Sequence, residues 1–451
     1  MAMAVVLFLL VVGSVIFHFA SPWWFTPIAS NWSMMDRTVD LTFWVTGFVF
    51  IAVNLFMAYA VYRYRHRKNV EQRAEYEPEN RRLEWILTIA TTVGVVAMLA
   101  PGLAVWAKFI TVPEGTPEIE AVGQQWTWSY RLPGDDGKLG ATSARLVTPE
   151  NPFGVDPNDP KGQDDVLVRS PELHLAVDKP VKVLLRSKDV LHNFTVPEFR
   201  VKMDLVPGMI TYLWLTPTKT GKYDVLCEEL CGIAHFAMRG RVVVDDAETY
   251  RAWHETQPTF AQAAARPAGD ATAGQALFGT CTACHGAQGE GNETLNAPKL
   301  AGQQPWYLAR QLHNFKSGVR GSMPGETIAA QMVPMAQLLD DKGVDDVVAH
   351  IATLPDERAG ATLKGDLDRG KDLFITCASC HGAHGQGVWS TRAPRLAGMS
   401  DWYLQRQLEN FRRGNRGRHP QDFYGTQMAS LSRMVHDEQS ERDLVAYINT
   451  L

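Results

Sequence analysis

The chain has 451 residues, enough for about three folded units at the usual domain size. Its formal net charge of -5 is small for that length, and no long basic tract follows the membrane-proximal region, which argues against a nucleic-acid partner. The six cysteines form three close pairs, Cys227/Cys231, Cys281/Cys284 and Cys377/Cys380, each beside a histidine, a pattern that suits metal or haem attachment better than a disulfide framework.

In chain order, Met1 to Ala20 is apolar but begins without Lys or Arg, and its HFAS end lacks a clear small-x-small cleavage pattern. It predicts a spanning helix over about 4–20 rather than a removed signal peptide. Leu41 to Tyr62 and Trp85 to Trp106 are each 22 residues, free of charge and long enough to cross a bilayer. The loop between them carries RYRHRK (Arg63 to Lys68) and further arginines at 73, 81 and 82. The positive-inside rule places that loop in the cytoplasm and everything after Trp106 outside. The expectation is a multi-pass protein of the bacterial inner membrane with its large C-terminal part in the periplasm.

From about Ile119 the pattern turns to short runs such as LHLAV, VKVLL, TYLWL and GRVVVD between Pro, Gly and Asp, which predicts a β sandwich or barrel within 117–250. An Ala-, Pro- and Thr-rich stretch over 257–273 reads as a linker with little fixed structure. Beyond it, residues 281–332 recur 96 positions later: CTACHGAQGEG matches CASCHGAHGQG, and KLAGQQPWYLARQLHNFKSGVRG matches RLAGMSDWYLQRQLENFRRGNRG. The tail is a tandem of two helical modules, 270–356 and 366–451.

CxxCH places two thiols about one helical turn apart, able to add to both vinyl groups of a haem while the following histidine bonds the iron. Two copies in register, Cys281/Cys284/His285 and Cys377/Cys380/His381, predict two covalent haems c and leave little room for a redox or zinc CxxC. The soft thioether of methionine suits the opposite face of such an iron. Of the methionines at 323, 332, 335, 399, 428 and 434, Met332 and Met428 occur in both modules, each 47 residues after its histidine. Two core methionines are the plainer alternative. The tail resembles the dihaem cytochromes c of bacterial periplasms, which supports the same two residues.

The middle domain contains CEELCGIAHFAM, which sets Cys227 and Cys231 four apart, His235 four further on and Met238 three beyond. Thiolate, imidazole and thioether together suit copper, whereas zinc rarely takes methionine. His192, in DVLHNFTVPEFRVKMDLVPG, is the candidate for a further ligand from a distance. The C-x3-C-x3-H-x2-M spacing, the upstream DVxH with VP and DxVPG, and QQWTWSY resemble the copper-binding domain of cytochrome c oxidase subunit II over about residues 35–250. That resemblance implies a multidomain membrane protein with N-terminal transmembrane helices, a cupredoxin-like β barrel and, from the tail, two all-α cytochrome c domains.

It further implies a dinuclear copper centre in which Cys227 and Cys231 bridge both ions, His192 and Met238 complete one, and His235 and the Glu229 carbonyl complete the other. The Glu229 carboxylate would reach a magnesium ion at the boundary with the catalytic subunit, and hard oxygen ligation fits that ion. Glu228 departs from the family, which usually has a small residue there, and its charge bears on the copper potential. Trp126 of QWTW matches the point where electrons enter the copper site; an ordinary core aromatic is the alternative reading for it and for Trp128. Glu84, in RRLEWILT, matches the position where protons enter a channel into the catalytic subunit, or is a snorkelling anchor.

The implied function is that of an electron-transfer subunit of a respiratory haem–copper terminal oxidase. Its partners are the catalytic subunit I and other oxidase subunits, and its donor is a quinol-oxidising complex or a soluble cytochrome c. The alternatives are a copper-bearing subunit of a nitric oxide reductase and a membrane-tethered carrier with no enzyme partner. The second of these leaves the match of Glu229, Asp204 and Glu84 to a subunit interface unexplained.

Overall fold

A computed structural model describes residues 2–21, 26–66, 78–266 and 268–451. Three apolar helices open the chain: α1 (Ala2–Ala20), α2 (Ser33–Arg63) and α3 (Arg81–Ile110). All three are long and apolar enough to cross a membrane, and their side chains lie mostly exposed. The helices α2 and α3 run past the apolar windows expected from the sequence, and Asn80 caps the start of α3 by accepting from the Leu83 backbone. Asp36 on the first turn of α2 pairs with Arg200 at 2.7 Å. Arg67, Lys68 and Arg73 of the basic loop lie outside the described residues.

The next unit packs two five-stranded sheets around one core. The first contains β1 (Glu118–Gln124), β2 (Thr127–Leu132), β3 (Val166–Val168), β5 (Val181–Ser187) and β8 (Thr211–Leu215), in the order β3-β2-β1-β5-β8. The second contains β4 (Glu172–Ala176), β6 (His192–Val196), β7 (Val201–Leu205), β9 (Gly221–Leu226) and β10 (Arg239–Asp245), in the order β4-β10-β9-β6-β7. The alternation of β5, with Val181, Val183, Leu185 and Ser187 inward, is the period of two that puts one strand face in a core. Helix α4 (Ala247–Glu255) follows β10.

Aromatic residues seat this sandwich on the helix ends. The buried Trp32 indole donates to the Trp214 carbonyl at 3.0 Å and meets Trp214 edge-on, with ring centroids 4.8 Å apart. Tyr212 and Trp214 donate in turn to the carbonyls of Ile110 and Lys108.

The stretch 257–273, expected to have little fixed structure, is ordered in its first half. Thr259 caps a short helix, α5 (Phe260–Ala265), and Phe260 is buried with Val122, Phe153, Val155 and Leu167. Backbone bonds from Phe260 and Ala261 to the carbonyls of Asp165 and Gln163 fix it to the sandwich. A single large apolar side chain outweighs the surrounding Ala and Pro because burying it is worth roughly 1.5–3 kcal/mol.

The first module comprises α6 (Ala271–Phe278), α7 (Thr282–His285), α8 (Pro305–Lys316), α9 (Met332–Gln337) and α10 (Asp341–Ile351). The second comprises α11 (Leu367–His381), α12 (Asp401–Arg413), α13 (Phe423–Ser432) and α14 (Glu438–Ile448). Their interface exchanges equivalent residues. Arg320 reaches Gln311 in its own module and Tyr403 and Gln407 across the boundary, while Arg416 reaches Gln407 in its own and Tyr307 and Gln311 across it. Each arginine, tyrosine and glutamine stands 96 residues from its counterpart.

Candidate metal and haem sites

Pairing of β6 with β9, which sets Thr195 opposite Leu226, carries His192 to the start of the loop joining β9 to β10. That loop supplies the rest. Cys227 Sγ lies 3.6 Å from Cys231 Sγ, 3.9 Å from His192 Nδ1 and 3.3 Å from the Glu229 carbonyl oxygen. Cys231 Sγ lies 3.6 Å from His235 Nδ1 and 3.8 Å from Met238 Sδ. All five side chains expected from the sequence, and the carbonyl, therefore meet at one place. Among the described residues, His192, Cys227 and Cys231 are a group whose ligand atoms all fall within 4.8 Å of one another.

Both cysteines are free, buried thiols. Their contact pulls the two sulfurs apart in acidity: Cys231, aided by His192, holds the Cys227 thiol well below its usual value, while the same contact and burial push Cys231 up. Burial opposes charge on the His192 ring, but Asp189, 2.7 Å from Nε2, and then Cys227 raise it above the usual imidazole value. A cation that displaces these protons relieves a buried pair of thiols, and the soft donor set selects copper over harder ions.

The loop is held in shape by the QQWTW turn. Trp126 Nε1 and Gln125 Nε2 both donate to the Cys231 carbonyl, at 3.1 and 2.7 Å. Gly232 has φ +119°, and a Cβ there would meet Trp126 and Gln125 at 2.9 Å, so only glycine lets the indole sit against the loop. Trp128, by contrast, is fully buried and packs edge-on against Phe194. Glu228 pairs with Lys202 at 3.0 Å, which offsets part of the extra charge anticipated beside the copper loop.

In the repeat, His285 Nδ1 bonds the Pro298 carbonyl at 2.8 Å and His381 Nδ1 bonds the Pro394 carbonyl at 2.7 Å. Burial holds both imidazoles below their ordinary value, so each stays neutral with Nε2 bare for an iron. The cavity beside His285 is lined by Cys281, Met332 and Met335, and also by Met399 from the second module. Met332 and Met335 both reach it, so the choice between them rests on the repeat. Met428 and Cys377 both pack against the second module's core. Arg320 and Arg416 also line the first cavity, and the Nε of each is buried without a partner, a donor pair suited to the carboxylates of a haem.

Glu84 lies in the first turn of α3, where its carboxylate accepts from the Asn80 backbone at 3.3 Å while Asn80 caps Leu83. It completes a reciprocal helix cap. Sequence reasoning missed the module interface of Arg320, Arg416, Tyr307, Tyr403, Gln311 and Gln407. The identity of all three residue types across the repeat was the available signal.

Residues 118–246 match the family model described as cytochrome c oxidase subunit II, periplasmic domain, and residues 271–355 and 367–451 match that of cytochrome c. The alternative cytochrome c oxidase subunit 2 of Bradyrhizobium diazoefficiens is 58% identical over 268 residues, which is 59% of this chain and 96% of that relative. The chain belongs to the cytochrome c oxidase subunit II family. Another subunit 2, from Cereibacter sphaeroides, is 31% identical over 47% of this chain and 74% of its own length. The cytochrome c4 of Thiocapsa roseopersicina is 36% identical over 38% of this chain and 90% of its own length.

Subunit II membership and the two cytochrome c domains together imply copper, haem c, a periplasmic sandwich and association with other haem–copper oxidase subunits. The three apolar helices fit an anchored subunit of that family.

Proposed function

We propose that this subunit II passes electrons from two covalent haems c, through a dinuclear copper centre, to a catalytic subunit that reduces O2 to water. The observation that carries the reading is the convergence of His192, Cys227, Cys231, His235, Met238 and the Glu229 carbonyl about one pair of sulfurs 3.6 Å apart. When bound, the copper pair and the haems supply one-electron redox chemistry. Cys227 and Cys231, with His192, Met238, His235 and the Glu229 carbonyl, are the groups that would hold the copper pair. Asp189 fixes the His192 ring by its Nε2, leaving Nδ1 toward the metal. The Glu229 carboxylate would offer oxygen to a magnesium ion at the boundary with the catalytic subunit, and Glu84 would mark where protons enter that partner. His285 with Met332, and His381 with Met428, are the residues that would hold the two haem irons.

Joining the haem modules to the copper domain keeps donor and acceptor at high effective concentration, so transfer between them does not await a collision. A quinol-oxidising complex or a soluble cytochrome c feeds the chain from the periplasmic side of the bacterial inner membrane. Affinity purification of the tagged chain from membranes tests the assignment. The expected outcome is recovery with a catalytic subunit showing a haem a spectrum and O2 uptake; recovery with a partner that reduces nitric oxide and not O2, or with none, would overturn it.

The axial methionines give a second test. Replacing Met332 or Met428 by Ala is expected to lower the potential of one haem only, by on the order of 0.1 V out of the roughly 0.8 V that axial ligands span. Each variant should also lose about half of the sulfur-to-iron absorption band. An unchanged spectrum in Met332→Ala, with a loss in Met335→Ala, would reassign the ligand.

A further inference from the structure

The tail does not meet the copper domain symmetrically. Among the described residues, hydrogen bonds from the copper domain to the repeat all end on the second module. Gln427 Nε2 donates to the Trp126 carbonyl at 2.5 Å, and the Tyr424 hydroxyl lies 3.3 Å from Thr127 Oγ1. Gln124 bonds the Ser390 carbonyl, and Arg241 stacks its guanidinium over Phe423 at 5.4 Å while reaching the Pro420 carbonyl. Helix α13, which bears Met428, also rests against the His235–Ala237 turn of the copper loop. Cys380 and Leu431 pack on the core that contains Cys227, Cys231 and Met238.

Gln427 and Pro420 have identical counterparts in Gln331 and Pro324, but the first module differs at the aromatic contacts. Thr327 and Ile328 stand where the second has Phe423 and Tyr424, and Cys284, the counterpart of Cys380, is exposed. The first module instead grips the second. Arg310 donates to the Arg392 carbonyl at 3.0 Å and lies 4.8 Å from the Tyr424 ring centroid, alongside the exchanged Arg320 and Arg416 contacts. The three sites thus stand in series, and Tyr424 touches both neighbours of the second module.

Resting on the electron-transfer reading above, we infer that the order of transfer is fixed by this docking. Electrons enter at the first module (Cys281–His285), pass to the second (Cys377–His381), and leave through the Trp126–Cys231 contact to the thiolate site. An external one-electron donor, a reduced c-type cytochrome, is met by the exposed Cys284 edge, because α13 and the Ser390 loop cover the Trp126 face. Each hop oxidises one site by one electron and reduces the next by one; no bond forms or breaks and no proton needs to move.

The test uses the full chain assembled with its partner and the double variant Gln427→Ala with Arg241→Ala, which loosens the docking but spares every proposed ligand. Gln331→Ala, the repeat counterpart of Gln427→Ala, is the control. Haem and copper absorbance first verify that all centres are loaded. On rapid mixing with a reduced soluble c-type cytochrome, both haems of the double variant should fill at the normal rate while copper reduction slows roughly tenfold or more, because small misplacements of reacting centres are costly.

An equilibrium reading accompanies the kinetics. Microwave power saturation of the oxidised copper signal should show slower spin relaxation in the double variant, as the nearest ferric haem moves away, and no change in Gln331→Ala. Normal copper reduction and relaxation in the double variant, or effects confined to Gln331→Ala, would overturn the order. Failure of the haems to reduce copper even in the unmodified chain would overturn the electron-transfer reading itself, and the order with it.

Discussion

Cys227→Ser is expected to abolish the absorbance and spin signal of the copper pair while both haems remain covalently attached. The thiolate is irreplaceable at its position: Cys227 Sγ is the atom that meets His192, Cys231 and the Glu229 carbonyl together, and a hydroxyl is too hard and too weakly acidic to bridge copper. Loss of an outer-shell partner ordinarily costs about 10–100-fold in metal affinity, so Asp189→Ala, which frees His192 Nε2, should weaken copper by about that factor and Cys227→Ser by more. Metal analysis of the purified variants, beside their haem spectra, separates the two. An intact mixed-valence signal in Cys227→Ser would sink the copper assignment.

Trp126→Leu is expected to leave haem reduction by an external donor at its normal rate and to slow copper reduction sharply, by roughly tenfold or more. The indole is 5% exposed and sits between the two partners, its Nε1 on the Cys231 carbonyl and its own carbonyl on Gln427. Leucine keeps the backbone contact to Gln427 but removes the ring that spans the gap. The Cys231 carbonyl is still satisfied by Gln125, so the copper loop should persist. The remaining cost is a cavity, about 1–3 kcal/mol given that Trp→Ala substitutions in cores cost about 3–5. Rapid-mixing spectroscopy that follows haem and copper bands separately measures the split. A normal rate of copper reduction in this variant would show that electrons cross elsewhere.

What was legible in the sequence was local. Four of the five copper-site side chains lie within one twelve-residue loop, so spacing alone brings Cys227, Cys231, His235 and Met238 together. His192 lies far away in sequence, and it takes the β6–β9 pairing to bring it in; the resemblance carried by DVxH anticipated what spacing does not. In the repeat, Met332 and Met335 line the same cavity, and comparison between modules separates them where a single module would not. The ordered start of the 257–273 stretch escaped because its composition is that of a loop, whereas its fate is decided by where Phe260 lands. The docking of the second module escaped for a related reason: Phe423 and Tyr424 read as ordinary helix residues until a copper domain stands opposite. Their mark was a break in the repeat, since a position that diverges between two otherwise parallel modules has been given different surroundings.

The exchanged contacts between the modules have a consequence for how the tail is put together. Arg320 with Tyr403 and Arg416 with Tyr307 are the same pair generated twice by a local two-fold axis, the arrangement of an isologous homodimer. The tail is in effect such a dimer with its two subunits joined end to end. The axis governs only this seam, however, because the outer faces have diverged and one half alone meets the copper domain. A module expressed by itself would bear a self-complementary patch and find a second copy of itself as its natural partner. Within the intact chain, Arg320 and Arg416 report on one shared cluster, so damage at one is felt at the other and their energetic costs do not simply add.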